Sequence, residues 1–154
     1  MKLTLLILYI LVTSNIVVGQ NLNMIIDVNN NLITSEISGV HLTFENENKT
    51  IEKIPIGYHP GELLLDQNSW KKIKSVETKK TILSFTYHTW KRNNQKNVTF
   101  EIEMKKYHFD KRYLILHIYD FRERKYRRKY GCLTDENYVF EFNFPQGGIL
   151  VGCK

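Results

Sequence analysis

The sequence predicts an all-β fold, an antiparallel β-sandwich or a small β-barrel of about 8–10 short strands with at most one short helix. Three observations carry that expectation. Apolar residues recur with period two rather than at helical spacing, short polar turns separate the apolar runs, and no strand–helix–strand alternation runs through the chain. The 42% hydrophobic and 25% charged composition, with 3 prolines and 8 glycines, excludes collagen-like, coiled-coil and disordered classes.

The chain opens on a leader. Lys2 supplies the positive end, Leu3 to Val18 is apolar apart from Thr4, Thr13, Ser14 and Asn15, and Val17-Val18-Gly19 offers small residues for cleavage. A bilayer span needs about 20 apolar residues, so this stretch reads as a secretory signal peptide over residues 1–19 rather than an anchor. Residues 20–154 then form a single secreted domain of 135 residues, long enough to bury one core.

Residues 23–28, 32–44, 50–56 and 62–65 read as shorter strands, with a bulge at Gly39 and an Asn29-Asn30-Asn31 loop between the first two. Ser69 caps one short helix that buries Trp70, Ile73 and Val76. Residues 81–90 and 112–121 are apolar on both faces and read as central strands. Val98, Phe100, Ile102 and Met104 alternate with Thr99, Glu101, Glu103 and Lys105, a strand with one wet face, and Tyr138, Phe140, Phe142 and Phe144 repeat that pattern. Turns at Asn93-Asn94-Gln95-Lys96, His108-Phe109-Asp110-Lys111, Thr134-Asp135-Glu136 and Pro145-Gln146-Gly147-Gly148 make residues 81–153 a meander of four or five strands.

Two cysteines, Cys132 and Cys153, predict one disulfide in an oxidising compartment; closing a loop of ~22 residues is worth roughly 3 kcal/mol in the chain-entropy model. Asn48-Lys49-Thr50 and Asn97-Val98-Thr99 are N-glycosylation acceptors in polar, loop-like stretches. The cysteines are too few for structural zinc and the histidines stand singly at 41, 59, 88, 108 and 117, so neither metal nor other cofactor is expected.

Charge is concentrated. Residues 105–130 hold ten basic side chains against three acids, a net +7, while the rest of the chain after Gly19 sums to −2. The densest run contributes Arg122, Arg124, Lys125, Arg127, Arg128 and Lys129, with Tyr126 and Tyr130 placed where a strand would turn them to one face. In an exported protein such a block fits a sulfated glycosaminoglycan, an anionic lipid or an acidic protein surface, because clustered charge raises local anion concentration and encounter rate. The plain structural alternative is a solvated, self-repelling edge or loop that blocks strand addition. Nucleic acid suits the same electrostatics, but export disfavours it.

The expectation is therefore a secreted, non-enzymatic binding or effector protein, with no catalytic residue assigned. Its partner is an extracellular macromolecule met by the basic patch, or a small apolar ligand in an internal pocket. Two alternatives stay open. Tyr58-His59-Pro60-Gly61-Glu62, with arginines nearby, resembles the Glu-base, His-acid equipment of guanyl-type secreted ribonucleases, which implies a small secreted sheet and RNA cleavage through His59 and Glu62; Pro-Gly chemistry reads the same residues as a turn. Arg124-Lys125-Tyr126-Arg127-Arg128 resembles a proprotein-convertase site, and a cut after Arg128 would release a disulfide-containing peptide. Ser69-Trp70-Lys71-Lys72-Ile73 resembles the tryptophan helix of secreted arthropod lipocalins, but the chain that follows is too short for eight strands, so that family is not carried over.

Overall fold

The computed structural model describes residues 21–91, 94–145, 147, 150 and 152–153. The expected leader and cleavage site lie outside these residues, as do parts of two of the expected turns. Ten strands are present among them: β1 (Leu22–Val28), β2 (Asn31–Leu32), β3 (Ile37–Asn46), β4 (Ile51–Pro55), β5 (Gly57–His59), β6 (Gly61–Leu64), β7 (Thr78–Lys91), β8 (Asn94–Met104), β9 (Leu114–Asp120) and β10 (Tyr138–Asn143). Helices α1 (Gln67–Lys74) and α2 (Arg124–Tyr130) and a 3-10 turn at Lys106–His108 complete the described elements. The fold is mostly β and mostly antiparallel.

The strands form two sheets. One runs β10-β9-β1-β6-β5, with β2 hairpinned onto β1, and the other runs β4-β3-β7-β8. Alternation explains the assignment. In β1 the residues Leu22, Met24, Ile26 and Val28 are buried while Asn23 and Ile25 are exposed, and in β8 Phe100, Ile102 and Met104 are buried against exposed Thr99 and Glu101. Both expected central strands are paired on each side, β7 by β3 and β8, β9 by β1 and β10. Gly39 takes a φ of +62° at a register shift between Ser38 and His41, the expected bulge.

The meander expected across residues 81–153 does not form. After β8 the chain turns through Lys106–His108, where Phe109 N–H donates to Lys106 O and Lys111 N–H to His108 O, and crosses to the other sheet. There β9 pairs parallel to β1 from Met24↔Leu114 to Val28↔Ile118. A strand apolar on both faces gains more between β1 and β10 than on a wet edge beside β8. The β7–β8 ladder continues to Lys91↔Asn94, so residues 94–96, expected in a turn, belong to strand β8, with Gln95 and Lys96 exposed.

Among the described residues there are two helices, where at most one was expected. In α1 the N-cap is Asp66, whose carboxylate accepts the Ser69 N–H at 2.7 Å, so Ser69 lies inside the first turn and is buried. Ile73 is buried and Trp70 half-buried, as expected. Val76 is 90% exposed, because the helix ends at Lys74 and Ser75 is already extended. The second helix, α2, occupies the basic run, for which the sequence suggested an edge or loop and no helix.

One apolar cluster draws on both sheets, with Met24, Ile26 and Leu116 from the six-stranded sheet and Phe44, Phe85 and Phe100 from the four-stranded one. Phe100 is the hinge of this packing: its ring lies 5.8 Å from Phe85 on its own sheet and 5.0 Å, edge-on, from Tyr138 on the other. The Tyr138 hydroxyl reaches farther and donates to Glu101 O while accepting from Glu101 N–H. Cys132 and Cys153 form the expected disulfide, with Cα atoms 5.9 Å apart.

Phe100→Ala should cost about 3–5 kcal/mol, read as a lower urea midpoint at unchanged slope. A second expectation concerns pH. His108 is buried, accepts the Lys105 N–H at Nδ1, and stacks 4.1 Å from Phe142; burial first, then the charges of Lys111 and Lys105, lowers its pKa to about 4. A folded value below the unfolded one means that the unfolded chain takes up the proton first as pH falls. The His108 contribution is therefore full above pH ~6.5 and is lost between there and pH ~4. In His108→Phe, urea midpoints between pH 7 and 4.5 should converge on a flatter curve than in the parent protein.

Candidate cationic groove

Helix α2 forms where the sequence places two tyrosines four residues apart in a run of arginine and lysine, all adequate helix formers. Tyr126 and Tyr130 are buried, and the other five residues of the helix point to water. The apolar side packs on Tyr119 and Phe121 with Val139 and Leu150, making a second small core on the outer face of the six-stranded sheet. The rings of Tyr119 and Tyr130 lie 4.5 Å apart. Gly131 ends the helix, and a Cβ there would meet Arg127 O at 2.5 Å.

The β1–β2 turn is the other half of the mounting. Asn29 and Asn30 both have positive φ, 58° and 65°, which asparagine tolerates in a two-residue hairpin loop. The Tyr126 hydroxyl donates to Asn29 O at 2.9 Å and accepts from Asn30 Nδ2 at 3.1 Å. Asn29 also donates through Nδ2 to Glu123 and accepts the Asp120 N–H at Oδ1, so one turn fixes both the end of β9 and the start of α2.

Above this turn opens a groove of about 670 Å³. Tyr87 and Thr89 of β7 and Lys96 of β8 form one wall, Asp120 and Arg122 to Lys125 the other, and the Trp90 indole stands at the rim, 73% exposed. Burial pushes the Tyr87 phenol up, with Glu36 adding to the shift.

The six basic residues singled out from sequence do not act alike. Arg122 folds onto Asp120, its Nε at 2.6 Å and Nη2 at 2.5 Å from Oδ2, so its charge is spent on a carboxylate that is 5% exposed. Arg124 and Lys125 join the groove, the Lys125 ammonium lying 4.6 Å above the Tyr126 ring. Arg127 and Arg128 project from the exposed side of α2, and the Lys129 ammonium lies 4.8 Å above Tyr130. Among the described residues no carboxylate comes within ion-pair distance of Arg124, Lys125, Arg127, Arg128 or Lys129. Lys96 and Trp90 were not legible as site residues, because nothing in their spacing tells that the β7–β8 hairpin end lies beside α2.

The other singled-out residues are placed as follows. Asn48 lies in the exposed turn between β3 and β4, but Asn97 is a strand residue of β8, paired with His88, rather than part of a loop. His59 and Glu62 face each other across the tight β5–β6 hairpin, where Gly61 takes a φ of +98°; both are exposed, and no arginine pairs with Glu62 among the described residues. His117 is held by Asp27, Nδ1 to Oδ2 at 2.7 Å. Arg124 to Arg128 are helical, not extended as a protease cleft requires. No helix among the described residues is long and apolar enough to cross a membrane. Comparison with protein-family models, curated proteins and solved structures finds no match to this chain.

Tyr126→Phe removes the hydroxyl that joins α2 to the Asn29-Asn30 turn and leaves Asn29 O short of a donor. It should cost about 1–2 kcal/mol in chemical denaturation, with the β content of the circular dichroism spectrum unchanged.

Proposed function

We propose that this is a secreted binding protein of β-sandwich architecture that engages sulfated glycosaminoglycan along α2 and the groove beside it. The observation that carries the reading is the exposed side of α2: Arg124, Arg127 and Arg128 stand there without a carboxylate within ion-pair distance among the described residues, next to the exposed Trp90. A helix bearing Arg124 and Lys125 in its first turn works against its own dipole, and the positive run repels itself. A polyanion relieves both costs. Sulfate groups take bidentate hydrogen bonds from guanidinium, and an indole face suits the apolar face of a pyranose ring.

Export is supported by the leader in the sequence and by the Cys132–Cys153 disulfide. Glycans would be carried at Asn48 and Asn97. The sandwich reading rests on two sheets that contribute to one core without a ladder joining them among the described residues. Large side chains such as Phe44, Phe85 and Phe100 fill that interior, which favours a surface partner over an internal apolar ligand.

The test is heparin chromatography of the secreted protein. Arg127→Glu with Arg128→Glu should lower the elution salt markedly, Trp90→Ala should lower it less, and Arg122→Ala, whose charge is already committed, should lower it least. Equal elution of the double variant and the parent would overturn the reading. Intact mass of the same material separates the precursor alternative, since a single chain ending at Lys154 leaves no room for a cut after Arg128.

A further inference from the structure

The outer face of the four-stranded sheet carries a second arrangement, on the opposite sheet from α2. Ser38 Oγ lies 2.7 Å from His88 Nε2, and His88 Nδ1 lies 2.8 Å from Asn97 Oδ1. Three strands contribute one residue each: Ser38 from β3, His88 from β7 and Asn97 from β8, with Asn97 directly opposite His88 in the ladder. We propose that Ser38, His88 and Asn97 form a nucleophile–base–orienter relay that makes Ser38 an acyl acceptor, giving this protein an esterase activity toward small acyl groups carried on exposed, larger molecules.

The chemistry follows from which atom faces which. His88 Nδ1 has two neighbours, Asn97 Oδ1 at 2.8 Å and the Gln95 amide nitrogen at 3.2 Å. The nearer one is an acceptor, which selects the Nδ1–H tautomer and leaves Nε2 with its lone pair toward the Ser38 hydroxyl. That is the geometry by which a serine hydroxyl becomes a nucleophile: a base within hydrogen-bond reach, itself oriented by a third group.

The backbone aims Ser38 at the histidine. The register runs from Ser38↔Thr86 directly to His41↔Ser84, so Gly39 and Val40 together stand opposite Phe85 alone. A bulge of this kind re-aims the side chain beside it, here that of Ser38. The bulge is held in place by His41, whose Nδ1 is 2.8 Å from Gly39 O, and His88 is anchored by its own N–H, which donates to Glu36 O at 2.7 Å.

In the forward step Ser38 Oγ bonds to the ester carbonyl carbon while its proton moves to His88 Nε2. The carbon–oxygen bond to the leaving alcohol then breaks, and that alcohol takes the proton from Nε2. Water, deprotonated by the same nitrogen, attacks the acyl-serine, releases the carboxylic acid and restores the Ser38 hydroxyl. Asn97 touches no reacting atom and is a positioning residue. Ser38 and Asn97 are both exposed on an open sheet face, so the acyl group must be presented by its carrier rather than enclosed by the protein.

Two readings test the relay on the secreted full-length chain. A fluorophosphonate probe should label the peptide containing Ser38, and 4-nitrophenyl acetate should be turned over beyond one equivalent per chain. Ser38→Ala should abolish both, and His88→Ala should slow turnover by about 100-fold with heparin retention and circular dichroism unchanged. Asn97→Ala should lose most of the turnover, while Asn97→Asp, which keeps the acceptor oxygen and removes the glycan attachment, should restore it; a purely structural Asn97 would not show that rescue. Acetylation that stops at one equivalent on lysines, a label elsewhere than Ser38, or turnover that survives Ser38→Ala would each overturn the proposal. Because the relay and the basic helix occupy different sheets, heparin binding can fail while esterase activity stands, and the reverse.

Discussion

Strand β1 is hydrogen-bonded along both edges, antiparallel to β6 and parallel to β9, and the placement of the basic helix descends from that pairing. The parallel ladder brings the end of β9 level with the turn that leaves β1, which is why Asn29 N–H can donate to Ile118 O at 2.8 Å. From that contact the Asn29 side chain reaches Asp120 and Glu123, and the chain enters α2 already oriented. A sheet of antiparallel neighbours only would have sent β9 the other way and left residues 122–130 at the opposite end of the molecule. The cost is a long crossover, since a strand from the first part of the chain must wait for a partner some ninety residues later, and such pairings are slow to form.

Helix α2 balances two opposed terms. Five cationic side chains on seven residues repel one another, and those near the N-terminus oppose the helix dipole. Against this stand two buried tyrosines, the hydrogen bonds of Tyr126 to the β1–β2 turn, and lysine ammoniums resting on tyrosine faces. The tail adds a tether beyond the helix, since Cys153 N–H donates to Lys129 O at 2.7 Å beside the disulfide. The charge is thus held out on a fixed support.

Much of the sheet content was legible, because period-two burial writes itself into any strand with one wet face. Residues 98–104 alternate cleanly, Gly39 marked its bulge, and residues 81–90 showed by their two apolar faces that a neighbour lay on each side. Partner choice was not legible. Nothing local to residues 112–121 says that their neighbour is residues 22–28, because β pairing is decided by which faces are left to cover. The basic run misled for a different reason: Tyr126 and Tyr130 are four apart, a spacing that serves a strand and a helix equally, and only the apolar surface of Tyr119 and Val139 beneath them decides. The Ser38–His88–Asn97 arrangement was invisible because its members are fifty and nine residues apart and meet only through two registers.

The Tyr138 hydroxyl has a mechanical consequence. By donating to Glu101 O and accepting from Glu101 N–H, it engages both polar groups of one residue on the far sheet, as a neighbouring strand would. A contact between apolar faces resists separation but slides with little resistance; a paired donor and acceptor has one position along the strand in which both bonds are made. The phenol therefore acts as a shear key between the sheets. It also occupies the middle of an edge strand whose remaining N–H and C=O groups would otherwise offer a second chain an unbroken row on which to grow.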